Sequence, residues 1–443
     1  MSALEQRLQS ALDSRASRQM LRALDPSPPS SSTLVDFSSN DYLSFSRSTV
    51  LRQKLVDVVN DDATPLYGPP SSRLLDGNTP LHASLERRLA AFFAAPSALL
   101  FNSGFDANVG LWTCLPGPDD WIIFDALVHA SMHDGMRASR VPRQRRRAFR
   151  HNRVESLERV LVDIVERDVG VRKGEKSVWV GVESLYSMDG DLAPLPDMVE
   201  VLERLLPRGN GHMVVDEAHS SGLYGPRGRG LVSALELERR ITVRVHTFGK
   251  AMACSGAAVL ASPLIRHFLV NYARPLIYST VSTHLSALAV SKSLEMLEEG
   301  KSDEPAAHVH ALAVRLVSRL SSLLPPASSV SLPPHLSSII TSSSTATAAP
   351  HPPTSPIVPL LTPSPRPLAA FLRTRGFLAR PITYPTVPRG EERLRVCLHA
   401  GNTQREVDGL CEAVAEWVRR GERGVGHDEL VALRSAEPLQ AKL

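Results

Sequence analysis

The sequence predicts an α/β protein: a large, mostly parallel β-sheet covered by helices on both faces, followed by a smaller α/β region. Three observations lead there. Short apolar runs alternate with stretches of helical periodicity between Leu81 and Ala261, and such alternation implies crossover connections between parallel strands. Polar residues capable of chemistry stand directly after those runs, where the ligands of such sheets bind. The chain has 443 residues, 43% hydrophobic and 22% charged, which allows two or three domains with the composition of a soluble globular protein.

The elements follow in order. Leu4, Leu8, Ala11, Leu12 and Leu21 mark a helix over residues 1 to about 24, ended by a Pro/Ser linker from Pro26 to Ser32. Val35 to Leu43 reads as a short strand entering a turn. Leu81 to Phe93 is helical and Ala98 to Phe101 is a strand, after which Ser103-Gly104-Phe105 opens a helix to Leu115. Trp121 to Phe124 is a strand, with a helix beginning near His129. Val178 to Val182 is a strand that delivers the segment Glu183 to Asp191. Val199 to Leu205 is helical, and Met213 to Val215, Val243 to His246 and Ala257 to Ala261 are strands. A helix from Val281 to Glu299 leads to the smaller region. There, 12 prolines between Pro325 and Pro367, set among Ser and Thr runs, read as a disordered surface insertion, within which Ile357 to Leu361 still fits an edge strand. Helix Leu368 to Arg375, strand Leu394 to Leu398 and helix Gln404 to Arg419 complete the pattern. The expected division is residues 1–45 as helix and linker, 46–295 as the large domain, 296–425 as the small domain with its insertion at about 325–367, and 426–443 as a tail.

Bulk properties remove several function classes. A net charge of +4 is small for this length and does not indicate a nucleic-acid surface. Cys114, Cys254, Cys397 and Cys411 are widely spaced and form no C-x-x-C pair, which argues against a zinc site or disulfide framework. No apolar run approaches membrane-span length. The amphipathic start, with Glu5 and Asp13, fits neither a signal peptide nor an acid-poor transit peptide.

The residues after the strands can be read two ways each. Asp216 suits a helix N-cap, or a carboxylate that holds a protonated pyridine nitrogen. Lys250, in Thr-Phe-Gly-Lys, suits a solvated turn, or an amine that forms a Schiff base. Gly104 and Phe105 stand at a helix N-terminus, an ordinary turn or an anion seat, with Thr247 able to reach the same anion. His129 fits a cap, a core residue or a ring lying on a heterocycle. The Glu183–Asp191 segment is an acidic Asp-Gly turn, or places Ser187 beside a cofactor. Asp216-Glu217-Ala218-His219 has the form of a helicase motif, but the required G-x-x-x-x-G-K-[ST] loop is absent. A metal site at Asp216 and His219 lacks a third ligand.

Taken together and in this order, SSNDYLSFS, FNSGFDANVG, VHASMHDG, FRHN, SLYSMDGDLAPL, VVDEAHSSGLYGPRGRG, HTFGKAMACSGAAVL, ARPLIYST and PTVPRGEERLRVCLHA resemble the α-oxoamine synthases. The resemblance runs from about Arg22 to Glu416. It implies the aspartate aminotransferase-like fold-type I of pyridoxal 5'-phosphate transferases, and condensation of an amino acid with an acyl-CoA accompanied by loss of carbon dioxide. Thr-Phe-Gly-Lys and Ile-Tyr-Ser-Thr are most similar to the branch that joins pimeloyl-CoA to L-alanine in biotin biosynthesis. Other branches use glycine with acetyl-CoA or serine with a long acyl-CoA, and a cofactor-free scaffold subunit is the non-enzymatic alternative.

Residue by residue, the resemblance implies Lys250 as Schiff-base lysine and acid/base, Asp216 on the pyridine nitrogen, and His129 stacked on the ring. It puts His219 and Ser187 on the phenolic oxygen, and Gly104, Phe105 and Thr247 on the phosphate. Arg395, helped by Asn40, would clamp the substrate carboxylate. Arg22 and Thr386 match substrate-side positions, and Thr280 matches one that reaches the partner's phosphate in a homodimer with shared active sites.

Two departures stand out. Tyr67-Gly68-Pro69-Pro70-Ser71-Ser72-Arg73 carries two prolines where relatives have a glycine-rich turn, and Arg153 replaces an expected acid after Phe149-Arg150-His151-Asn152. The basic run Arg143, Arg145, Arg146, Arg147 reads as a solvated face, with a CoA phosphate contact as the sharper option. Ala441-Lys442-Leu443 is similar to a peroxisomal address read by the import receptor. It sets the expected compartment as peroxisome, or cytoplasm if it is not read.

Overall fold

The computed structural model describes residues 1–18, 20–21, 33–61, 67–69, 71–336 and 354–421. Arg22 and Ala441–Leu443 therefore lie outside the described residues. The strands are β1 (Val35–Asp36), β2 (Ser97–Phe101), β3 (Trp121–Asp125), β4 (Arg146–Phe149), β5 (Val178–Glu183), β6 (Gly211–Asp216), β7 (Val243–Thr247) and β8 (Ala257–Ala261). After the main helices of the second half come β9 (Ile357–Leu361), β10 (Phe377–Leu378), β11 (Arg380–Ile382) and β12 (Arg393–Cys397).

Seven strands form the large sheet in the order β2-β8-β7-β6-β5-β3-β4. All neighbours are parallel except β8, which runs antiparallel to both β2 and β7. Strands β5, β7 and β8 are buried along their whole length, because helices cover both faces and leave no solvated side to alternate toward. Helix Gly104–Cys114 packs on the sheet through Ala107, Leu111 and Trp112, while Ala130–Ala138 packs against that helix. Register then does the positioning: Glu183 pairs with Asp216 across β5 and β6, and Thr247 pairs with Ala257 across β7 and β8. The polar ends of these strands open on one edge of the sheet.

The smaller region is an antiparallel sheet β11-β12-β9 backed by helices Asp303–Leu323, Pro365–Thr374 and Gln404–Arg420. Strand β1 pairs in parallel with β10, which ties residues near the start of the chain to this region.

Three expectations need correction. The disordered insertion over 325–367 does not hold at either end. Residues 354–367 carry β9, with Ile357, Val358 and Leu360 buried, and Ser331 bridges Leu361. Only 337–353 lie outside the described residues there. β9 is the edge strand that the sequence allowed over Ile357 to Leu361, and Pro359 is tolerated because the side away from β12 pairs only at Leu361, with Ser331. The basic run is no uniform solvated face either. Arg146 and Arg147 lie on β4, where Arg147 pairs with Asp163, Arg145 pairs with Asp119, and Arg146 donates to the Met136 carbonyl. Finally, the first helix ends at Ser17, and none of its residues is buried.

Candidate active site

Site construction starts at the carboxyl ends of β6 and β7. Asp216 ends β6 with 5% exposure. Its Oδ1 accepts from the Ala218 N–H at 2.9 Å and its Oδ2 from Asn108 Nδ2 at 2.8 Å. Thr247 ends β7, and Lys250 follows in the turn that the Phe248 carbonyl closes with Cys254 N–H. Ser103 caps helix Gly104–Cys114 by accepting from the Asp106 N–H. This sets Gly104, the first residue of the helix, against Thr247. A side chain at Gly104 would overlap the Thr247 Cγ2 methyl, so only glycine lets the helix end come this close.

These groups surround a cavity of about 400 Å³, whose wall includes Asn40, Gly104, Phe105, His129, Asp216, His219, Thr247 and Lys250. Eight residues named from the sequence thus meet at one place. The rest do not. Ser187 is absent from this wall; its carbonyl accepts from Arg395 Nε at 2.5 Å, and the residue lines a second cavity. The Met188–Asp191 turn carries it there, because Asp189 is drawn to Arg393 and Asp191 to His151. Thr386 is exposed on that second cavity. Thr280 is exposed, with its carbonyl taken by Asn102 Nδ2 at 2.7 Å. Arg395 stands behind the first cavity at 6% exposure, donating Nη2 to Asn40 Oδ1 at 3.1 Å.

Electrostatics lower the basicity of the nitrogen groups that line the cavity with Asp216. Burial pulls the Lys250 ammonium below the ordinary lysine range, and Arg395 adds to this, while Asp216 and Glu183 oppose it. Burial also lowers His129, and it drives His219 well below the usual histidine range. His219 Nδ1 shares a 2.7 Å hydrogen bond with the Tyr42 hydroxyl. The Glu183 carboxyl is pushed far upward by burial and by Asp216 next to it.

Sequence reading missed Tyr42, Asn108, Ser131 and Glu183. Glu183 had a signal, since it ends a strand as Asp216 does. Asn108 lies four residues after Gly104, on the same helix face, but its partner is Asp216, a contact that no local pattern encodes.

The donor set fits the cofactor that the resemblance implies. Thr247 is 9% exposed, and its buried Oγ1 has no protein partner among the described residues. It stands beside an amide-lined helix end, as an anion seat requires. An acceptor at Asp216 and an amine of lowered basicity at Lys250 complete what a phosphorylated pyridine aldehyde needs. Among the described residues no group of three His, Cys, Asp or Glu side chains could hold a metal.

Residues 32–414 match the family described as aminotransferase class I and II. Across 95% of its length the chain is 43% identical to 8-amino-7-oxononanoate synthase of Emericella nidulans, covering 97% of that protein. It is 35% identical over 94% to aminoacyl transferase sphA of Byssochlamys spectabilis, covering 88% of it. Two solved structures share the fold. Serine palmitoyltransferase of Sphingomonas wittichii aligns with a TM-score of 0.74 and 23% identity over 94% of this chain and 97% of that one. The 8-amino-7-oxononanoate synthase of Francisella tularensis aligns with a TM-score of 0.64 and 24% identity over 87% and 98%. Fold, site and relatives agree: the chain belongs to the aminotransferase class I and II family, among the α-oxoamine synthases, which are pyridoxal-phosphate-dependent enzymes of fold-type I.

Proposed function

We propose that the enzyme condenses pimeloyl-CoA with L-alanine to give 8-amino-7-oxononanoate, CoA and carbon dioxide. One observation carries the acyl-transfer part. The cavity of about 400 Å³ adjoins a second of about 610 Å³, and His129 lines both. An amino acid held at Lys250 therefore has room beside it for a second, longer substrate. The choice of substrates is supported by the relative from Emericella nidulans. Its product name describes nine carbons, seven from a dicarboxylic acyl group and two from alanine after loss of its carboxyl carbon.

Bound pyridoxal phosphate supplies the electron sink for the pair left when the substrate Cα–H bond breaks. Everything else falls to the chain. Gly104, Phe105 and Thr247 would bind the cofactor's phosphate, and Asp216 would hold its ring nitrogen protonated. Lys250 is the attachment point, and its lowered basicity suits it to take the Cα proton and later return one. Arg395, oriented by Asn40, holds the amino-acid carboxylate. The new Cα–carbon bond forms as the thioester C–S bond breaks, and CoA leaves as the thiolate, which takes a proton from solvent. The alanine carboxyl carbon then departs as carbon dioxide, and the site returns a proton to Cα. A homodimer belongs to the same reading. Tyr67, Leu75 and Tyr278 are 89%, 74% and 70% exposed, close in sequence to the Ser72–Thr280 bridge, and apolar groups so exposed suit a partner copy.

Purified enzyme should release CoA with pimeloyl-CoA and alanine faster than with acetyl-CoA and glycine or palmitoyl-CoA and serine. Release with only the last pair would replace this reading by the sphingoid one, to which the relative from Byssochlamys spectabilis lends support.

A further inference from the structure

Among the described residues His129 is the one shared by the two cavities, and three buried side chains stand behind it. Asn108 is 1% exposed, Ser131 is fully buried, and Asp216 is 5% exposed. They form a continuous chain. Asn108 Nδ2 donates to Asp216 Oδ2 at 2.8 Å and to Ser131 Oγ at 3.1 Å, and Ser131 Oγ lies 2.8 Å from His129 Nδ1.

The direction of every proton in this chain is forced. A carboxylate oxygen can only accept, so the Asn108 amide must turn its nitrogen toward Asp216. The second Nδ2 hydrogen then goes to Ser131 Oγ, which leaves the serine hydroxyl hydrogen free to donate onward to His129 Nδ1. A second donor fixes the same atom. The Ser131 backbone N–H, which can never accept, lies 3.2 Å from His129 Nδ1. Two donors on Nδ1 leave no place for a hydrogen there. A neutral His129 must therefore carry its proton on Nε2, the nitrogen on the opposite edge of the ring, for which no protein partner exists among the described residues.

We propose that Asn108 and Ser131 are positioning residues that hold His129 in the Nε2–H tautomer, so that it presents a hydrogen-bond donor where the two cavities meet. Histidine tautomers in proteins are set by the bond on the other nitrogen, and here that bond is anchored to the carboxylate that serves the cofactor ring. His129 is thereby a donor rather than a base. It is placed for the thioester oxygen, which gathers negative charge when its carbonyl is attacked. Charged and titratable groups around it are Asp216, Lys250, Asp134, His133, His219 and Glu183, the last bonded to the His129 backbone, and Lys250 remains the group that moves the Cα proton. The catalytic consequence rests on the acyl-transfer reading above; the tautomer itself does not.

The test uses the cofactor-loaded enzyme labelled with nitrogen-15 histidine, the His129 signals being assigned by their loss in His129→Asn. Without acyl-CoA present, Nδ1 should show an unprotonated nitrogen and Nε2 a protonated one. In Ser131→Ala only the longer backbone donor at 3.2 Å remains on Nδ1, so a minor Nδ1–H population should appear beside the Nε2–H form, and Ser131→Thr should restore the single form. In turnover, Ser131→Ala should lower kcat by roughly 10-fold or more with KM for the amino acid little changed, in keeping with a donor aimed less well at a developing charge. A proton on Nδ1 in the wild type would overturn the proposal whether or not the variants fold, as would a single unchanged tautomer with full kcat in Ser131→Ala. Failure of pimeloyl-CoA as a substrate, with the Nε2–H form intact, would remove only the choice of substrate.

Discussion

Replacing Gly104 by alanine separates the phosphate seat from the stability of the helix that makes it. The new Cβ would overlap Thr247 Cγ2 and lie 3.4 Å from Thr247 Cβ. Restoring an ordinary carbon–carbon separation of ~3.5–4.0 Å requires a movement on the order of 1 Å. Either the helix end backs away or Thr247 rotates about χ1, and each route spoils a phosphate contact. Charge-assisted hydrogen bonds contribute about 1.5–3 kcal/mol, so losing one should weaken cofactor binding by roughly 10- to 100-fold. Helix propensity pushes the other way, because alanine is favoured over glycine by up to ~1 kcal/mol in a helix. The two effects separate by state. Cofactor-free Gly104→Ala should unfold within a few degrees of the wild type, because helix propensity offsets part of an overpacking cost of ~1–3 kcal/mol, whereas the cofactor titration followed by visible absorbance should shift to higher concentration. An unchanged cofactor affinity would refute the close approach of Gly104 to Thr247 as the basis of the seat.

Four further outcomes are expected. Lys250→Ala should lose the visible absorbance of the lysine-linked cofactor and ~10²–10⁴-fold of the rate; a colourless wild type that cannot be reconstituted would instead fit a scaffold subunit. Arg395→Lys surrenders the planar donor that Asn40 and the Ser187 carbonyl orient, and should raise KM for the amino acid roughly 10-fold or more, so a change in kcat alone would count against the carboxylate role. Arg153 is the N-cap of helix Val154–Arg167 and makes no side-chain capping bond; Arg153→Asp should add ~1 kcal/mol from the cap, which over 443 residues is a rise of roughly 1 °C in Tm, measurable by scanning calorimetry, and any fall would contradict it. For His151, burial lowers the imidazole, yet Asp125 and Asp191, each at 2.9 Å, prevail and hold it up to about 10. Its stabilisation is then complete below the unfolded value of ~6.5 and fades as pH rises through 10, so the stability gap between wild type and His151→Gln should narrow across that interval, and a gap that ignores pH would exclude the charged pairing.

How far sequence carried the reading depends on where each residue's partners lie. Strands β2, β3, β5, β6, β7 and β8 were legible because their buried faces left runs of apolar residues. Strand β4 was hidden, since of Arg146-Arg147-Ala148-Phe149 only Phe149 is buried at this sheet edge. The same edge position let arginines that looked like a basic face find acidic partners on neighbouring elements. In the site, strand-end residues were legible one at a time, but not which of them meet. Register decides that. Glu183 and Asp216 pair directly across β5 and β6, and burial together with Asp216 beside it drives the Glu183 carboxyl toward its neutral form. Asp216 has the Ala218 N–H and the Asn108 amide on its two oxygens. Asn108 therefore does two things at one atom. It donates to Asp216 and, through Ser131, it chooses the nitrogen on which His129 keeps its proton. Neither could be read from a local pattern, because both follow from a helix laid across the ends of strands that lie far from it in sequence.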